Sequence, residues 1–297
     1  MKKRIGTDQL CFNIIGGTFL AVFGLCCVLP FVLMVTSSFA SQQSLMVNGY
    51  SLFPSEVSLN AYRYIFQNPM RILRAYGNTI VLTGIGTVLS TMITVMGGYV
   101  LSRPDFKWRN VFSFFFFFTT LFSGGLVPWY ILCTRYLGFK NSYLALLIPP
   151  LFSVWNLIIA KNYLKSIPFE ITESAKVDGA NDLTIFFRLI LPIIKPLLAT
   201  IGMFTALTYW NDWYNALLFI TDKDKQPLQA FLQDMLQSAD AIKQMGTQIS
   251  GSSSLSSTPT ESMKMAMTCV ATGPIILLYP FVQRFFVKGL TIGSVKG

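Results

Sequence analysis

Six long apolar runs constrain this sequence of 297 residues more than any other feature. A helix needs about 20 apolar residues to cross the hydrocarbon core of a bilayer, and each run is near that length. A membrane β-barrel would instead show ten-residue segments of alternating polarity. Charged residues make up 12% of the chain, whereas soluble domains carry about 25%. The pattern predicts an all-α, multi-pass membrane protein with one transmembrane domain (1–297) and six spans, over residues 13–39, 76–101, 111–133, 143–163, 197–220 and 263–283.

The distribution of Lys and Arg predicts the orientation of these spans. With a cytoplasmic N-terminus, 14 of the 23 basic residues fall in inner segments and 9 in longer outer loops. Basic residues concentrate on the cytoplasmic side of membrane proteins. Both termini are therefore predicted to be cytoplasmic, with an inner loop at 164–196, an outer loop at 221–262 and an inner tail at 284–297. The first run is too long for a cleaved signal peptide, so we expect it to remain as a span.

Composition excludes several kinds of chemistry. The chain has no histidine, which excludes imidazole acid–base catalysis and His-ligated metal sites. Its five cysteines show neither metal-ligand nor redox spacing, and it has no G-x-x-x-x-G-K-[ST] phosphate loop. The net charge of +10 is scattered among the spans, which argues against nucleic-acid binding. We predict no catalytic residue, no metal site and no cofactor bound by this chain.

The inner loop 164–196 is predicted to contain two short helices joined by a turn. Gly179 allows the left-handed conformation that ends a helix, and Asn181 or Asp182 can cap the next helix. Small side chains on the first helix would allow close approach by another protein. The sequence therefore predicts a compact helical element that fits a socket.

This loop resembles the EAA loop of ABC importer permeases of the type I fold. The pattern E-x-A-x3-G-x9-L-x-L-P is matched at Glu173, Ala175, Gly179, Leu189, Leu191 and Pro192. In that family the loop is a coupling helix seated in a cleft of a separate ATPase subunit. An amphipathic helix on the membrane surface without a partner is the alternative. The resemblance implies the type I permease fold and assigns ATPase coupling to Glu173, Ser174, Ala175, Asp178, Gly179 and Ala180.

Other segments are similar to permeases of carbohydrate importers. Residues 167–170 and 176–181 match that group, and the ending 288–297 is similar to the tail of the maltose-type second permease subunit. In that subunit the tail inserts between two ATPase chains. Stretches 61–66, 78–79 and 122–128 resemble the branch that takes up complex oligosaccharides and polysaccharide fragments. The similarity of the tail implies ATPase contacts for Gly289, Thr291, Gly293, Lys296 and Gly297.

The resemblance also implies a function and a set of partners. The chain would form half of the translocation path of an ATP-driven oligosaccharide importer in a bacterial cell membrane (plasma or inner membrane). Surrounded by membrane lipid, it would pair with a second, related permease and with two copies of an ATPase subunit, which bind ATP and Mg²⁺. An extracellular sugar-binding protein would deliver the substrate. A permease for another class of solute and an ion-coupled carrier acting alone are the alternatives.

A polar and aromatic segment in the fifth run is the candidate substrate path. Sugars need aromatic platforms and amide or carboxylate partners, and an acidic residue within a span faces a cavity or a partner. Helical spacing predicts Tyr209, Asp212 and Trp213 on one face and Asn211 and Asn215 on another. An aromatic belt at the membrane surface is the alternative. The candidate set is Tyr209, Trp210, Asn211, Asp212, Trp213, Asn215 and Trp129.

Glycines and a phenylalanine run predict how the second and third spans pack. Gly124, Gly125 and Pro128 permit a bend in the third span, with close helix packing as the alternative. The five phenylalanines at 114–118 encircle the helix, so they are predicted to face lipid or neighbouring helices. Close packing is the first expectation for Gly84, Gly86, Gly97 and Gly98.

The outer loop 221–262 is predicted to contain an amphipathic helix at 230–237 and a mobile serine-rich run at 250–257. Its position matches the scoop loop of the maltose-type subunit, which reaches into the binding protein and helps to displace sugar. A tolerated surface insertion is the alternative.

Overall fold

The computed structural model describes residues 7–248, 261–274 and 276, and these residues are predominantly helical. Among them the one β interaction is an isolated bridge between Ala40 and Val57. The chain divides into two compact units, Met1–Asn68 with Asp234–Pro274 and Pro69–Gln233 with Ile275–Gly297.

The first unit contains α1 (Thr7–Ser38), α2 (Gln42–Asn48), α3 (Asn60–Ile65) and a helical segment at 261–274. The most apolar 18-residue window of α1 has none of its residues buried against the described part of the chain, as expected of a helix whose surroundings are lipid or other subunits. The Ser41 hydroxyl caps α2 by accepting the Ser44 N–H at 3.1 Å. The Gln42 side-chain carbonyl accepts the Glu261 N–H at 3.0 Å, which ties α2 to the start of the segment 261–274.

The second unit is a bundle centred on a long helix. In chain order its elements are α4 (Pro69–Ser102), α5 (Arg109–Leu121), α6 (Leu126–Ile131) with a π-helical turn (Leu132–Tyr136), α7 (Leu144–Leu147) with a 3-10 turn (Pro149–Leu151), α8 (Val154–Leu164), α9 (Glu170–Val177), α10 (Asp182–Thr184) with a π-helical turn (Ile185–Ile190), α11 (Leu191–Ile193), α12 (Lys195–Trp210), α13 (Tyr214–Phe219), a 3-10 turn (Lys223–Lys225) and α14 (Leu228–Gln248), whose residues from Asp234 belong to the first unit.

Helix α4 packs against α8 and α12 through glycines. A Cβ built on Gly98 would lie 2.8 Å from the Ala160 Cβ, and one on Gly86 would overlap the Tyr209 ring. A Cβ built on Gly97 would lie 3.1 Å from Cδ1 of Leu157. The packing expectation is thus confirmed at these three glycines. Gly84 differs, because a Cβ there would meet no described atom within 4 Å.

The predicted spans correspond to straight and bent helices. Phe12–Ser38 and Pro69–Ser102 are each long and apolar enough to cross a membrane, and three bent helix pairs raise the number to as many as five. The end of the predicted sixth span, 263–283, lies outside the described residues, so the count of six stays a prediction.

The third span has the bend that its sequence allows. Arg109–Leu121 and Leu126–Tyr136 meet at 113°, and between them Gly125 has a φ of +84°, a conformation that glycine adopts without steric cost. A Cβ on Gly124 or Gly125 would meet no described atom within 4 Å. Their role here is therefore to bend the chain rather than to admit a neighbouring helix.

The fifth predicted span, 197–220, is interrupted rather than continuous. Helix α12 ends at Trp210 and α13 begins at Tyr214. The predicted sharing of helix faces across residues 209–215 therefore fails, because it assumed an unbroken helix. The reason is local, since the Asp212 carboxylate accepts both the backbone N–H and the side-chain amide of Asn215, at 3.1 and 2.9 Å, and such contacts compete with helical hydrogen bonding.

Replacing Gly98 with alanine should loosen the contact between α4 and α8. In a helix interior, Gly to Ala normally stabilises by about 0.5–1 kcal/mol, but overpacking costs about 1–3 kcal/mol. We expect Gly98→Ala to lower the apparent melting temperature of the detergent-solubilised protein. Gly84→Ala is the matched control on the same helix and should leave that temperature unchanged or raise it. Equal melting temperatures for the two variants would contradict the packing role of Gly98.

Candidate functional site

The segment between α8 and α12 forms a capped helix and turn. Helix α9 ends in a pair of hydrogen bonds, from the Gly179 N–H to the Lys176 carbonyl and from the Ala180 N–H to the Ala175 carbonyl, both at 3.0 Å. This pattern is a Schellman motif, and Gly179 takes the positive φ of +79° that it requires. The Asn181 side chain then accepts the Thr184 N–H at 2.8 Å and caps α10. Both predicted caps are confirmed.

Helix α9 has one face that is buried against its own chain, the inner face, and one that is exposed, the outer face. Thr172 and Ala175 are buried, and Ala175 packs in a core with Tyr99, Ile185 and other apolar side chains of α4, α8 and α12. Ala180 also packs against this core. The small residues predicted to meet a partner therefore include two that contact the rest of their own chain.

The outer face of α9 combines charge with one bare apolar side chain. Glu173, Ser174, Asp178 and Gly179 are exposed, and Val177 is 88% exposed. A single exposed apolar residue is common on protein surfaces, so Val177 is of interest through its place on the exposed face of α9. Val177 was not among the predicted coupling residues, although its place three residues beyond Ser174 on the same helix would have indicated it.

A charge network fixes α9 to the end of α4. Arg103 donates to Asp182 at 2.6 Å and to Asp105 through two nitrogens, and Lys176 donates to Asp105 at 2.9 Å. The guanidinium also lies 5.7 Å from the centre of the Tyr99 ring, over its face. We name Arg103, Asp105, Lys176 and Asp182 the charge clamp.

Asp105 is the centre of this charge clamp. Hydrogen bonds from the Arg103 guanidinium, supplemented by the Lys176 ammonium, hold the pKa of the Asp105 carboxyl well below its usual range, against the opposing effect of partial burial. A carboxyl with a depressed pKa contributes stability that is fully present above its unfolded pKa of about 3.9 and is lost as the pH falls further. The charge clamp is therefore intact at neutral pH.

The predicted substrate-path residues separate into packed and exposed groups. Tyr209 is buried against Gly86, and its hydroxyl donates to the Leu147 carbonyl at 2.7 Å. Trp210 is also buried. Asn211 is exposed and accepts a hydrogen bond from Gln229 at 3.3 Å. Tyr209 and Trp210 thus act in packing, which removes them from any accessible surface within the second unit.

The exposed aromatics gather near the bend of the third span. Trp129 and Tyr214 line a recess of about 550 Å³ together with Gly124 and Gly125. Trp213 is 40% exposed and packs edge-to-face on Tyr214, with ring centres 5.8 Å apart. Asp212 and Asn215 are hydrogen-bonded to each other, as described above, and are not brought into this recess.

The phenylalanine run behaves as its sequence indicates. The rings of Phe114, Phe115, Phe117 and Phe118 are exposed. Phe116 instead packs on Phe152, with ring centres 5.1 Å apart. The exposure of four rings agrees with the prediction that they face lipid or neighbouring helices, and contact with lipid stays a prediction.

Hydrogen bonds and an ion pair hold the beginning of the segment 221–262, which is predicted to be an outer loop. The Thr79 hydroxyl accepts the Leu228 N–H at 2.8 Å in a buried position, and Arg74 pairs with Asp224 at 2.8 Å. The Asn78 amide donates to the Asp224 carbonyl at 2.9 Å. The predicted helix at 230–237 is present within the longer α14. The serine-rich run 250–257 and all five predicted tail residues lie outside the described residues.

Within the described ranges, no group of three or more Cys, Asp or Glu residues has a geometry that could hold a metal ion.

Long apolar helices, with a capped helical segment between α8 and α12, define a helical membrane protein. The chain belongs to the family of binding-protein-dependent transport system inner membrane components, which it matches over residues 90–292. The sequence resemblance to permeases of ABC importers is thereby confirmed. Membership also makes the chain a membrane component.

Two relatives and one solved structure are similar to this protein over nearly all of its length. The protein is 40% identical over 299 residues, all of both chains, to the polygalacturonan/rhamnogalacturonan transport system permease protein YtcP of Bacillus subtilis (strain 168). It is 37% identical to protein LplC of the same organism, covering 96% of this chain and 95% of LplC. A crystal structure of a bacterial ABC transporter involved in the import of the acidic polysaccharide alginate contains a chain that is 29% identical, with a TM-score of 0.76, covering 95% of this chain and 98% of that one.

Loss of the Asp105 charge should free α9 from α4. In Asp105→Asn, Arg103 and Lys176 lose the carboxylate that they share. Loss of about 1 kcal/mol of local stability would raise the population of states in which α9 is detached roughly fivefold. We expect tryptic cleavage between residues 165 and 188 to become about fivefold faster at pH 7. Asp224→Asn, which breaks the ion pair with Arg74, is the control and should leave that cleavage unchanged. Equal cleavage rates in Asp105→Asn and the unmodified protein would show that the charge clamp does not hold α9.

Proposed function

We propose that this chain is one of two permease subunits of an ATP-driven importer of oligosaccharides, and that α9 is the element that docks a separate ATPase. The outer face of α9 carries this proposal, because a capped helix that is anchored on one face and bare on the other suits a protein partner. Polysaccharide transport in the names of the relatives supports the choice of substrate class.

The proposed coupling follows from how α9 is held. The helix is joined to α4 by the charge clamp and to α8 and α12 by the core around Ala175 and Ile185. A movement of the ATPase would therefore reach the membrane helices through packed side chains. Nucleotide and sugar would each act by differential affinity for inward-facing and outward-facing states. ATP and Mg²⁺ belong to the ATPase in this scheme.

The topology and the remaining partners form part of the same proposal. Both termini lie in the cytoplasm, six helices span the cell membrane, and a second, related permease completes the path. An extracellular sugar-binding protein delivers substrate, and the outer loop that begins at the anchored residues near Asp224 reaches toward it. Glu173, Ser174, Asp178 and Gly179 contact the ATPase directly, whereas Ala175 and Ala180 support the helix from below.

A charged residue at the bare apolar position should prevent ATPase docking without unfolding the subunit. Val177→Arg places a cation where a partner would bury a valine, and a buried unpaired charge is strongly destabilising at an interface. We expect the variant to lose co-purification with the ATPase and to lose stimulation of ATP hydrolysis by sugar-loaded binding protein, by tenfold or more. The measurement uses the complex reconstituted with the proteins encoded beside it.

Val57→Arg is the matched control, because Val57 is 74% exposed in a loop of the first unit, at a distance in sequence from α9. It should retain both docking and stimulation. A Val177→Arg complex with unchanged ATPase stimulation would contradict the docking role of α9.

The C-terminal tail is proposed to contact the ATPase pair through Gly289, Thr291, Gly293, Lys296 and Gly297. Deleting residues 289–297 should leave assembly intact, since α9 remains, but should reduce sugar-stimulated hydrolysis several-fold. Co-purification and ATPase rates measure the two effects separately. Unaltered stimulation by the truncated subunit would remove the tail from the mechanism.

A further inference from the structure

Three basic side chains gather where the end of α8 meets the first turns of α5. Arg109 is the first residue of α5, Lys161 lies in the last turn of α8, and Lys165 directly follows that helix. The Lys161 ammonium donates to the Ser113 hydroxyl at 2.6 Å, which joins α8 to α5 at this point. The charged groups that act electrostatically on Lys161 are Lys165 and Arg109, and both are cations. We name Arg109, Lys161 and Lys165 the basic cluster.

The basic cluster has no counter-charge in the part of the chain that the structure describes. None of its three members forms a salt bridge there, whereas the neighbouring Arg103 pairs with two aspartates. The Arg109 guanidinium donates to the Arg103 carbonyl at 3.3 Å and Lys161 donates to a hydroxyl, so both hydrogen bonds go to neutral acceptors. Asp105, the acidic residue nearest to Arg109 in sequence, is already engaged in the charge clamp.

The positions of these cations make their mutual repulsion costly. Lys161 and Lys165 are four residues apart, a spacing at which like charges destabilise a helix. The dipole of α8 favours the two lysines at its C-terminal end, but the dipole of α5 disfavours Arg109 in its first turn. Lys161 is partly buried and is held by Ser113 rather than extended into water, so solvent and salt screen its charge incompletely. An anion bound among the three cations would relieve the repulsion.

The surroundings of the basic cluster favour an anion that belongs to the membrane. The cluster lies at the ends of two predicted spans, 111–133 and 143–163, which is the level at which lipid headgroups are expected. Beside it on α5, Trp108 is 62% exposed and Phe112 is 45% exposed, and tryptophan next to basic residues is typical of a membrane surface. Basic pockets between transmembrane helices bind acidic lipid headgroups. The exposed aromatic rings suit acyl chains better than they suit a soluble anion.

We propose that the basic cluster binds the phosphate of an anionic phospholipid, with Arg109 on one side and Lys161 and Lys165 on the other. Charge-assisted hydrogen bonds from Lys and Arg to phosphate are among the strong ones, so the headgroup would bridge α5 and α8. Arg109 also donates to the carbonyl of Arg103, which places the lipid one contact away from the charge clamp. The inference goes beyond the proposed function and depends only on the place of this chain in a membrane.

Photo-crosslinking tests this site in the assembled complex. Phosphatidylcholine proteoliposomes receive a trace of a phosphatidylglycerol probe that carries a diazirine at the start of an acyl chain, and mass spectrometry locates the labelled residues. We expect labelling within residues 106–118 and 154–168. An excess of unlabelled phosphatidylglycerol should reduce the labelling at least several-fold. The same excess of phosphatidylcholine, or of soluble glycerol phosphate, should not, because a neutral headgroup lacks the charge and a soluble anion lacks the acyl chains.

Removal of charge tests the cations themselves. Lys161→Gln/Lys165→Gln keeps hydrogen-bonding groups at both positions, and each basic residue near an anionic lipid surface contributes about fivefold in affinity. Labelling should therefore fall roughly 25-fold in the double variant, whereas Lys161→Arg/Lys165→Arg should retain most of it. Arg188→Gln/Lys195→Gln, which removes two exposed cations elsewhere on the chain, is the matched control and should label as the unmodified protein does.

Co-purification of the partner subunits shows that each variant is assembled, and Lys165→Gln alone, expected to lower labelling about fivefold, replaces the double variant if that one is not. Equal labelling by a phosphatidylcholine probe, or unchanged labelling after the charges are removed, would overturn the proposal. Labelling that appears only when the ATPase is absent would also overturn it, because an acidic surface of that subunit would then cover the cluster. Labelling is measured without transport, so a failure to import sugar would contradict the proposed function and leave the lipid site standing.

Discussion

The close approach of α4 to α8 and α12 is the contact on which the second unit depends. Gly98 and Gly86 remove side chains where the helices meet, so that Ala160 and the Tyr209 ring lie directly against the α4 backbone. Without a hydrophobic driving force between helices in lipid, such packing is a main source of association. One helix, α4, thereby joins the charge clamp at its C-terminal end to the anchored segment at residues 224–228 near Thr79. Densely packed helices move as units rather than deform, so a push on α9 would shift this bundle as a body.

Breaks in the helices create recesses that unbroken, closely packed helices would not leave open. The third span bends at Gly125 and the fourth after Pro149, and a recess opens beside each bend. Hydrocarbon excludes unpaired backbone groups, so these breaks mark parts of the chain that face protein or water. Exposed tryptophans lie beside both bends. The same constraint that makes the rest of the chain helical therefore indicates where its accessible polar surface lies.

The sequence predicted elements that are set by local rules and failed where tertiary contacts decide. The apolar runs predicted the long helices, because a membrane helix needs a minimum hydrophobic length. Gly179 and Asn181 predicted the caps around α9 and α10, and Gly125 predicted the bend, because these features depend on local backbone conformation. The interruption at Asp212 was missed, since a carboxylate that bonds to Asn215 cannot be distinguished by pattern from one facing a cavity. The charge clamp joins Arg103 to Asp182, 79 residues apart, and the burial of Ala175 depends on packing with distant helices. Neither the charge clamp nor the burial of Ala175 can be predicted from a periodicity in the sequence.

The bare side chain of Val177 has a consequence for the life of the subunit outside its complex. Cellular quality control recognises exposed apolar groups in proteins that should have buried them. A subunit made in excess of its partner would display this valine, together with the exposed Leu183 nearby in sequence, to the proteases that degrade unassembled membrane proteins. The exposed face of α9, which is proposed to bind the ATPase, would then also be the signal for degradation of unassembled subunits. Such degradation would help to keep the numbers of the subunits equal.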